Sequence, residues 1–283
     1  MPFRVELPPT LAERLAARTG QSAADNVEGG PGGVGRGAAA PGVPAPLVGM
    51  WVCSGSPVAA EIAGAAGMDW VLIDGEHSPI GLETITGLLR ALAAYPATPV
   101  VRVPALDAVV IKQVLDAGAQ NLLVPMVDTA EQAADAVRAV RYPPAGVRGV
   151  GSALARASRW NAVPEYLARA AGLVSLTVQI ESAAAVEQAA AIAAVEGVDA
   201  LFVGPADLAA SMGLLGQQGH PEVVAAVHRV FDAAHAAGKP VGVNCFDPER
   251  AREYARAGAD FLSVTADVTL MMRGAQEAAA SLR

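Results

Sequence analysis

The sequence predicts a (β/α)8 barrel, and three observations carry that prediction. Eight short apolar runs recur between Leu47 and Val264, each followed by an Ala-rich segment with helical spacing. The runs are apolar throughout instead of alternating in and out, as in a parallel sheet covered on its outer face. Glycine closes five of the helical segments, at Gly67, Gly118, Gly197, Gly238 and Gly258, just ahead of a strand, where a left-handed cap suits it. Eight strand–helix units in about 235 residues have the size and rhythm of such a barrel. A doubly wound open sheet is the rival, but no dinucleotide-type glycine fingerprint follows an early strand.

Taken in order, residues 11–18 have helical composition and are followed by Gly20. Between Gly29 and Pro46, eleven of eighteen positions are glycine or proline, so the segment buries too little apolar surface to offset its ordering entropy. Residues 21–46 therefore read as a flexible linker, and its glycine run lacks the Gly-Lys-Ser/Thr of a phosphate loop. The strand runs are Leu47–Cys53, Trp70–Ile73, Val100–Val103, Asn121–Val124, Val174–Ile180, Ala200–Val203, Pro240–Val243 and Phe261–Val264. The helical segments are 57–66, 81–94, 107–117, 129–140, 183–194, 221–237, 247–257 and 267–282. The expected organisation is an N-terminal helix and linker over 1–46 and a barrel domain over 47–283.

Composition narrows the function. With 28 acidic and 20 basic side chains, the 283-residue chain carries a net charge of −8, which argues against a nucleic-acid or anionic-membrane partner. Only 17% of residues are charged and 53% are apolar, yet no apolar stretch is long enough for a spanning helix. The first residues lack the pattern of a secretory signal. Two cysteines 192 positions apart, Cys53 and Cys245, suit reduced thiols in a cytoplasmic protein.

In a barrel of this kind, chemistry sits at the C-terminal ends of the strands. After the second run comes Asp74-Gly75-Glu76-His77; the third ends in Arg102, the fifth in Gln179-Ile180-Glu181, and the sixth in Gly204-Pro205-Ala206-Asp207. Charged groups are scarce in this chain, so their gathering at strand ends is informative. Glu181 and Asp207, from neighbouring strands, make a hard oxygen site suited to a divalent ion such as Mg2+ or Mn2+. A carboxylate at a helix start also serves as an N-cap, so either could be structural. His77 is a candidate general base. Arg102 needs an anionic partner, either a substrate oxygen or an ion pair with Asp74 or Glu76.

The runs 67–77, 99–104, 111–118, 123–127, 141–161, 178–181 and 203–208 together make the chain resemble the class II, metal-dependent pyruvate aldolases of the 4-hydroxy-2-oxoheptanedioate aldolase family. The resemblance covers about 47–282, and the Arg-Tyr-Pro-Pro…Ala-Ser-Arg-Trp-Asn block at 141–161 is its most diagnostic part. It implies a divalent ion (Mg2+, Mn2+ or Co2+) on Glu181 and Asp207, with Gln179 beside it and Gly204, Ala206 and Asp207 around the substrate carboxylate. It also implies His77 as acid/base, Arg102 stabilising a pyruvate enolate, and Asp116 raising the basicity of His77; Asp74, three residues before His77, is positioned in the sequence to orient it as well. The implied reaction is reversible retro-aldol cleavage of a 4-hydroxy-2-oxo acid to pyruvate and an aldehyde. For 4-hydroxy-2-oxoheptanedioate the aldehyde is succinate semialdehyde, and the Arg141–Arg159 segment could supply the second cation such a diacid needs. A 2-keto-3-deoxy sugar-acid (rhamnonate-type) aldolase, a CoA-linked acid lyase and a non-catalytic relative are the alternatives. The two lysines argue against Schiff-base chemistry, because Lys112 lies in a helical segment and Lys239 precedes a strand. The resemblance further implies a homohexamer in which the last helix packs on a neighbour. Trp51 and Trp160 are expected to fill core rather than line a pocket.

Overall fold

A computed structural model describes residues 5–20 and 44–282, and most of the expected 21–46 linker lies outside the described residues. Eight parallel strands close into a barrel in chain order: β1 (Leu47–Val52), β2 (Trp70–Asp74), β3 (Thr98–Arg102), β4 (Asn121–Val124), β5 (Ser175–Ile180), β6 (Ala200–Val203), β7 (Val241–Asn244) and β8 (Phe261–Ala266). β8 returns to pair with β1, so the sheet has no free edge.

The outer helices fall where the Ala-rich spacing puts them. These are α2 (Pro57–Ala65), α3 (Leu82–Ala91), α4 (Ala108–Asp116), α5 (Ala130–Val140), α7 (Ala183–Ala193), α9 (Pro221–Ala236), α10 (Pro248–Arg256) and α11 (Asp267–Ala280). Six of them open on side-chain caps, from Ser56, Asp107, Thr129, Ser182, His220 and Asp247. Each cap satisfies N–H groups that an α-helix leaves unpaired. Two short helices were not anticipated: α6 (Tyr166–Arg169), in an irregular crossover after α5, and α8 (Pro205–Ser211), directly after β6.

Because strand side chains alternate, one set faces the helices and the other fills the barrel. The outer set joins the helices in the main core, through Val71, Ile73, Val101, Leu122, Val178 and Val203. The inner set is layered. At the floor, where the strands begin, Trp70, Phe202 and Phe261 meet with ring centroids 5.6–6.1 Å apart. The N-terminal helix α1 (Leu11–Gly20) closes that floor: Leu11 and Leu15 are buried in the same cluster, and the Leu11 N–H donates to Asn121 Oδ1 at 2.6 Å. Apolar packing gives way upward to Asp74, Arg102, Gln179 and Glu181, so the reactive groups sit over an aromatic floor.

Candidate active site

The last inward position of each strand decides what reaches the mouth. On β3 this is Arg102, whose side chain is 6% exposed. Its Nε and Nη2 each lie 2.9 Å from Asp74 Oδ1, and its Nη1 lies 2.7 Å from Glu76 Oε2. The guanidinium stacks 4.4 Å over the Trp51 ring, whose Nε1 donates to Asn244 Oδ1 at 2.9 Å. Arg102 is therefore oriented from three sides by two carboxylates and an indole face.

Asp74 also accepts backbone N–H bonds from Glu76 at 3.1 Å and His77 at 3.4 Å, and the Ser78 hydroxyl donates to it at 3.3 Å. Burial pushes this carboxyl up, but the Arg102 guanidinium and the two amides hold it below the usual carboxylate range. Asp74 thus shapes the loop that carries His77 and touches that residue's backbone. The imidazole, 66% exposed, has Glu76 as its carboxylate neighbour, with Nε2 3.9 Å from Glu76 Oε2.

Across the mouth, Glu181 is buried and accepts the Met126 N–H at 2.8 Å; Gln179 Nε2 donates to its other oxygen. Met126 has φ of 53°, a strained conformation for a side chain of its size, and it aims that amide at Glu181. Glu181 is not a helix cap, because Ser182 caps α7. Asp207 lies in the first turn of α8, a helix whose N-cap, Gly204, has no side chain. Burial first, and then the charges of Glu76 and Asp207, push the Glu181 carboxyl up. Glu76 is raised by burial, with Asp74 and Asp207 adding to the shift against the pull of Arg102.

Glu76, Glu181 and Asp207 thus carry like charges close enough to disfavour one another's ionisation at the mouth, around a fully buried Glu181. Gln179 Oε1 is buried there without a hydrogen-bond partner. Among the described residues no three His, Cys, Asp or Glu side chains converge as a complete protein-only metal cage. Mutually repelling carboxylates and an orphaned amide oxygen fit a divalent cation that takes its remaining ligands from solvent and substrate. Space around this group is limited. A Cβ on Gly204 would stand 2.7 Å from Glu181 Oε2 and 2.8 Å from Gln179 Nε2. Gly204→Ala will therefore displace the Glu181 carboxylate and lower divalent affinity and kcat/KM by about 10–100-fold. Calorimetry and steady-state kinetics on the folded variant provide the check.

Several expected contacts lie elsewhere. Asp116 ends α4, and a helix that follows a strand of the barrel ends at the floor. It pairs with Arg148 Nη2 at 2.9 Å and does not meet His77 within the chain. The Arg141–Arg159 segment follows it. Arg148 is fully buried against Asp116 and the Tyr142 ring, Arg156 bonds to Ala117 O and Leu89 O, and Arg141 packs beside Gly197. None of these guanidiniums faces this chain's own mouth. Trp160 is 61% exposed, contrary to expectation, because it lies in a run of left-handed residues, Arg159, Trp160 and Asn161. Trp51 both fills core and supports Arg102. Glu76 is the residue that sequence reasoning passed over as more than an ion-pair partner; its place within Asp-Gly-Glu-His was the available signal. Both lysines are remote from the mouth, with Lys239 Nζ donating to Val198 O and Lys112 beside Gly149.

A closed parallel barrel that holds an arginine and a carboxylate cluster at its mouth, with no lysine in reach, has the parts of a carbon–carbon lyase that works without a Schiff base. Residues 47–274 match the HpcH/HpaI aldolase/citrate lyase family. The chain is 53% identical over 232 residues to a hydroxypyruvate/pyruvate aldolase of Pseudomonas aeruginosa, covering 82% of this chain and 87% of that one. It is 49% identical over 235 residues to a 4-hydroxy-2-oxo-heptane-1,7-dioate aldolase of Salmonella dublin, covering 83% and 89%. The crystal structure of an HpcH/HpaI aldolase/citrate lyase family protein from Burkholderia cenocepacia J2315 superposes with a TM-score of 0.81 at 44% identity, covering 84% of this chain and 95% of that one. The chain belongs to the HpcH/HpaI aldolase/citrate lyase family, and it is an aldolase.

Proposed function

We propose that the chain cleaves 4-hydroxy-2-oxo acids reversibly to pyruvate and an aldehyde, 4-hydroxy-2-oxoheptanedioate giving succinate semialdehyde. The observation that carries this reading is Glu76, which pairs with the Asp74-bound Arg102 on one side and shares a like-charged neighbourhood with Glu181 and Asp207 on the other. A divalent ion held by Glu181 and Asp207 would act as a Lewis acid toward the 2-oxo acid.

The chain's own residues supply the rest. The Ala206 and Asp207 amides open α8 beside the place assigned to the substrate carboxylate. His77, on the rim, takes the proton of the 4-hydroxyl as the C3–C4 bond breaks. The bonding pair passes to C2–C3, the 2-oxo oxygen gains the charge of an enolate, and Arg102 meets that charge from a buried, preoriented position. Protonation at C3 completes pyruvate, and the aldehyde leaves past His77.

A second reading of the donor has its own support. The relative at 53% identity is named for hydroxypyruvate as well as pyruvate, and the 141–159 arginines give a distal carboxylate no contact at this chain's mouth. On this reading the enzyme also accepts hydroxypyruvate, with small uncharged aldehydes.

A pyruvate-release assay on 4-hydroxy-2-oxo acids, with and without EDTA, tests the reaction. Activity will fall to background on chelation and return with Mg2+, Mn2+ or Co2+. Turnover indifferent to EDTA would remove the metal from the scheme. In condensation, pyruvate against hydroxypyruvate, each with succinate semialdehyde or glycolaldehyde, separates the two readings. We also place the enzyme in the cytoplasm, with Cys53 and Cys245 free, as a homohexamer. The exposed Val268, Met271 and Met272 of α11 suit burial against a neighbour. No helix among the described residues is long and apolar enough to cross a membrane.

A further inference from the structure

The end of the barrel opposite the mouth holds two arginines whose charge no described residue balances with an ion pair. Arg102, Arg148 and Arg14 each have a carboxylate partner. Arg156 and Arg159 are half-buried, and their hydrogen bonds go to backbone carbonyls only: Arg156 to Ala117 O at 3.3 Å and Leu89 O at 3.4 Å, and Arg159 to Arg156 O. Among the described residues neither forms an ion pair. Their tips are neighbours, since a Cβ on Gly118 would stand 2.5 Å from Arg156 Nη1 and 3.1 Å from Arg159 Nη1. Gly118 itself has φ of 100°, so this close approach is kept open by a residue that few side chains could replace.

Both guanidiniums line a cavity of about 570 Å3, together with the segment Glu6–Pro9 and with Tyr95, Gln120 and Arg14. Glu6, exposed at the rim, is the only acidic residue of that lining. Arg14 is already engaged by Asp69, Pro96 O and Thr98. Burial, followed by repulsion from Arg159 and Arg90, brings Arg156 down to about 10, and burial lowers Arg159 as well. Two adjacent, partly desolvated cations without a counter-charge are costly to the fold, and an anion between them would remove that cost. Each guanidinium has five N–H donors, and these two keep most of theirs unused.

We propose that this cavity is a second ligand site, taking a small multivalent oxyanion of the phosphate or polycarboxylate class on the paired guanidiniums of Arg156 and Arg159. The ligand would tie the 156–159 turn to the chain leading into α1. The site is independent of the mouth, of its carboxylates and of the reaction proposed for them. A free carboxylate from a second copy of the chain is the competing occupant; the chain's own Glu6–Pro9 segment already lines the cavity beside the guanidiniums, which favours the small ion.

Titrating inorganic phosphate into the metal-free protein by calorimetry, beside thermal unfolding at matched ionic strength in chloride, tests the proposal. The expected result is saturable binding of one phosphate per chain that persists in the presence of excess pyruvate, with a rise in Tm of about 3 °C or more. Arg156→Gln and Arg159→Gln will each weaken binding at least tenfold, and Arg159→Lys will retain part of it. Arg273→Gln, on exposed α11, will leave it unchanged. Absence of binding to the wild type overturns the proposal. So does displacement of phosphate by pyruvate, or equal binding by the folded Gln variants. Loss of assembly in those variants without any phosphate effect assigns the arginines to a neighbouring chain instead.

Discussion

Replacing Arg102 with alanine will lower kcat by about a hundredfold to a thousandfold, the usual cost of removing one donor from a developing oxyanion. Divalent binding will persist, because Glu181 is positioned by Met126 and Gln179 and Asp207 by the first turn of α8. The same change strips Asp74 and Glu76 of their counter-charge, and breaking a buried pair costs about 3–5 kcal/mol. The pH dependence gives the sign. Asp74 is held below its ordinary range in the folded protein, so its contribution is present above the unfolded value and is lost as pH falls through the folded one. Wild type and variant will therefore differ most in urea midpoint near pH 7 and converge on acidification. Arg102→Lys, which keeps a charge but not the planar fork, will recover stability more than turnover. Near-normal kcat in the alanine variant would remove Arg102 from the chemistry.

Glu181→Gln will act in opposite directions on activity and on the metal-free fold. Its carboxyl is pushed up by burial and by Glu76 and Asp207, so above that raised value the folded protein carries an unfavourable charge there. A neutral amide removes it. Gln179 can turn its orphaned Oε1 toward the new NH2, and Met126 keeps an acceptor. Metal-free Tm near pH 8 will be at least that of the wild type, while turnover falls about a hundredfold or more and stabilisation by divalent ions disappears. In the wild type a cation must displace the Glu181 proton, so divalent affinity will rise with pH through the raised value and then level off. A variant that still binds Mn2+ like the wild type would place the ion elsewhere.

The barrel was legible because each of its parts follows a local rule. A run such as Trp70–Ile73 is apolar on both faces because helices cover one face and the barrel core the other. Asp74, Arg102, Gln179, Glu181 and Asp207 were found by asking what ends each strand. They form one cluster because successive parallel strands present the same end. Helix α8 escaped because it begins one residue after β6 and runs for only seven residues, too short for periodicity to register. The 141–174 crossover escaped for a different reason. Its path depends on left-handed Arg159, Trp160, Asn161 and Glu165, which composition does not announce. Asp116 shows the limit most plainly. The resemblance implies an effect on His77, whereas within the chain Asp116 ends α4 and pairs with Arg148, and no property of Leu-Asp-Ala-Gly says to which end of the barrel it belongs.

The aromatic floor, with α1 packed across it, leaves this vessel a single doorway. Traffic through one doorway is last in, first out. The parts proposed for the 2-oxo acid, Arg102 and Gln179, are deep, while His77 stands on the rim. The donor acid must therefore be seated before the aldehyde arrives in the condensing direction, and in cleavage it must wait until the aldehyde has gone. A compulsory order of binding follows from three aromatic rings and two leucines that close the far end of the barrel.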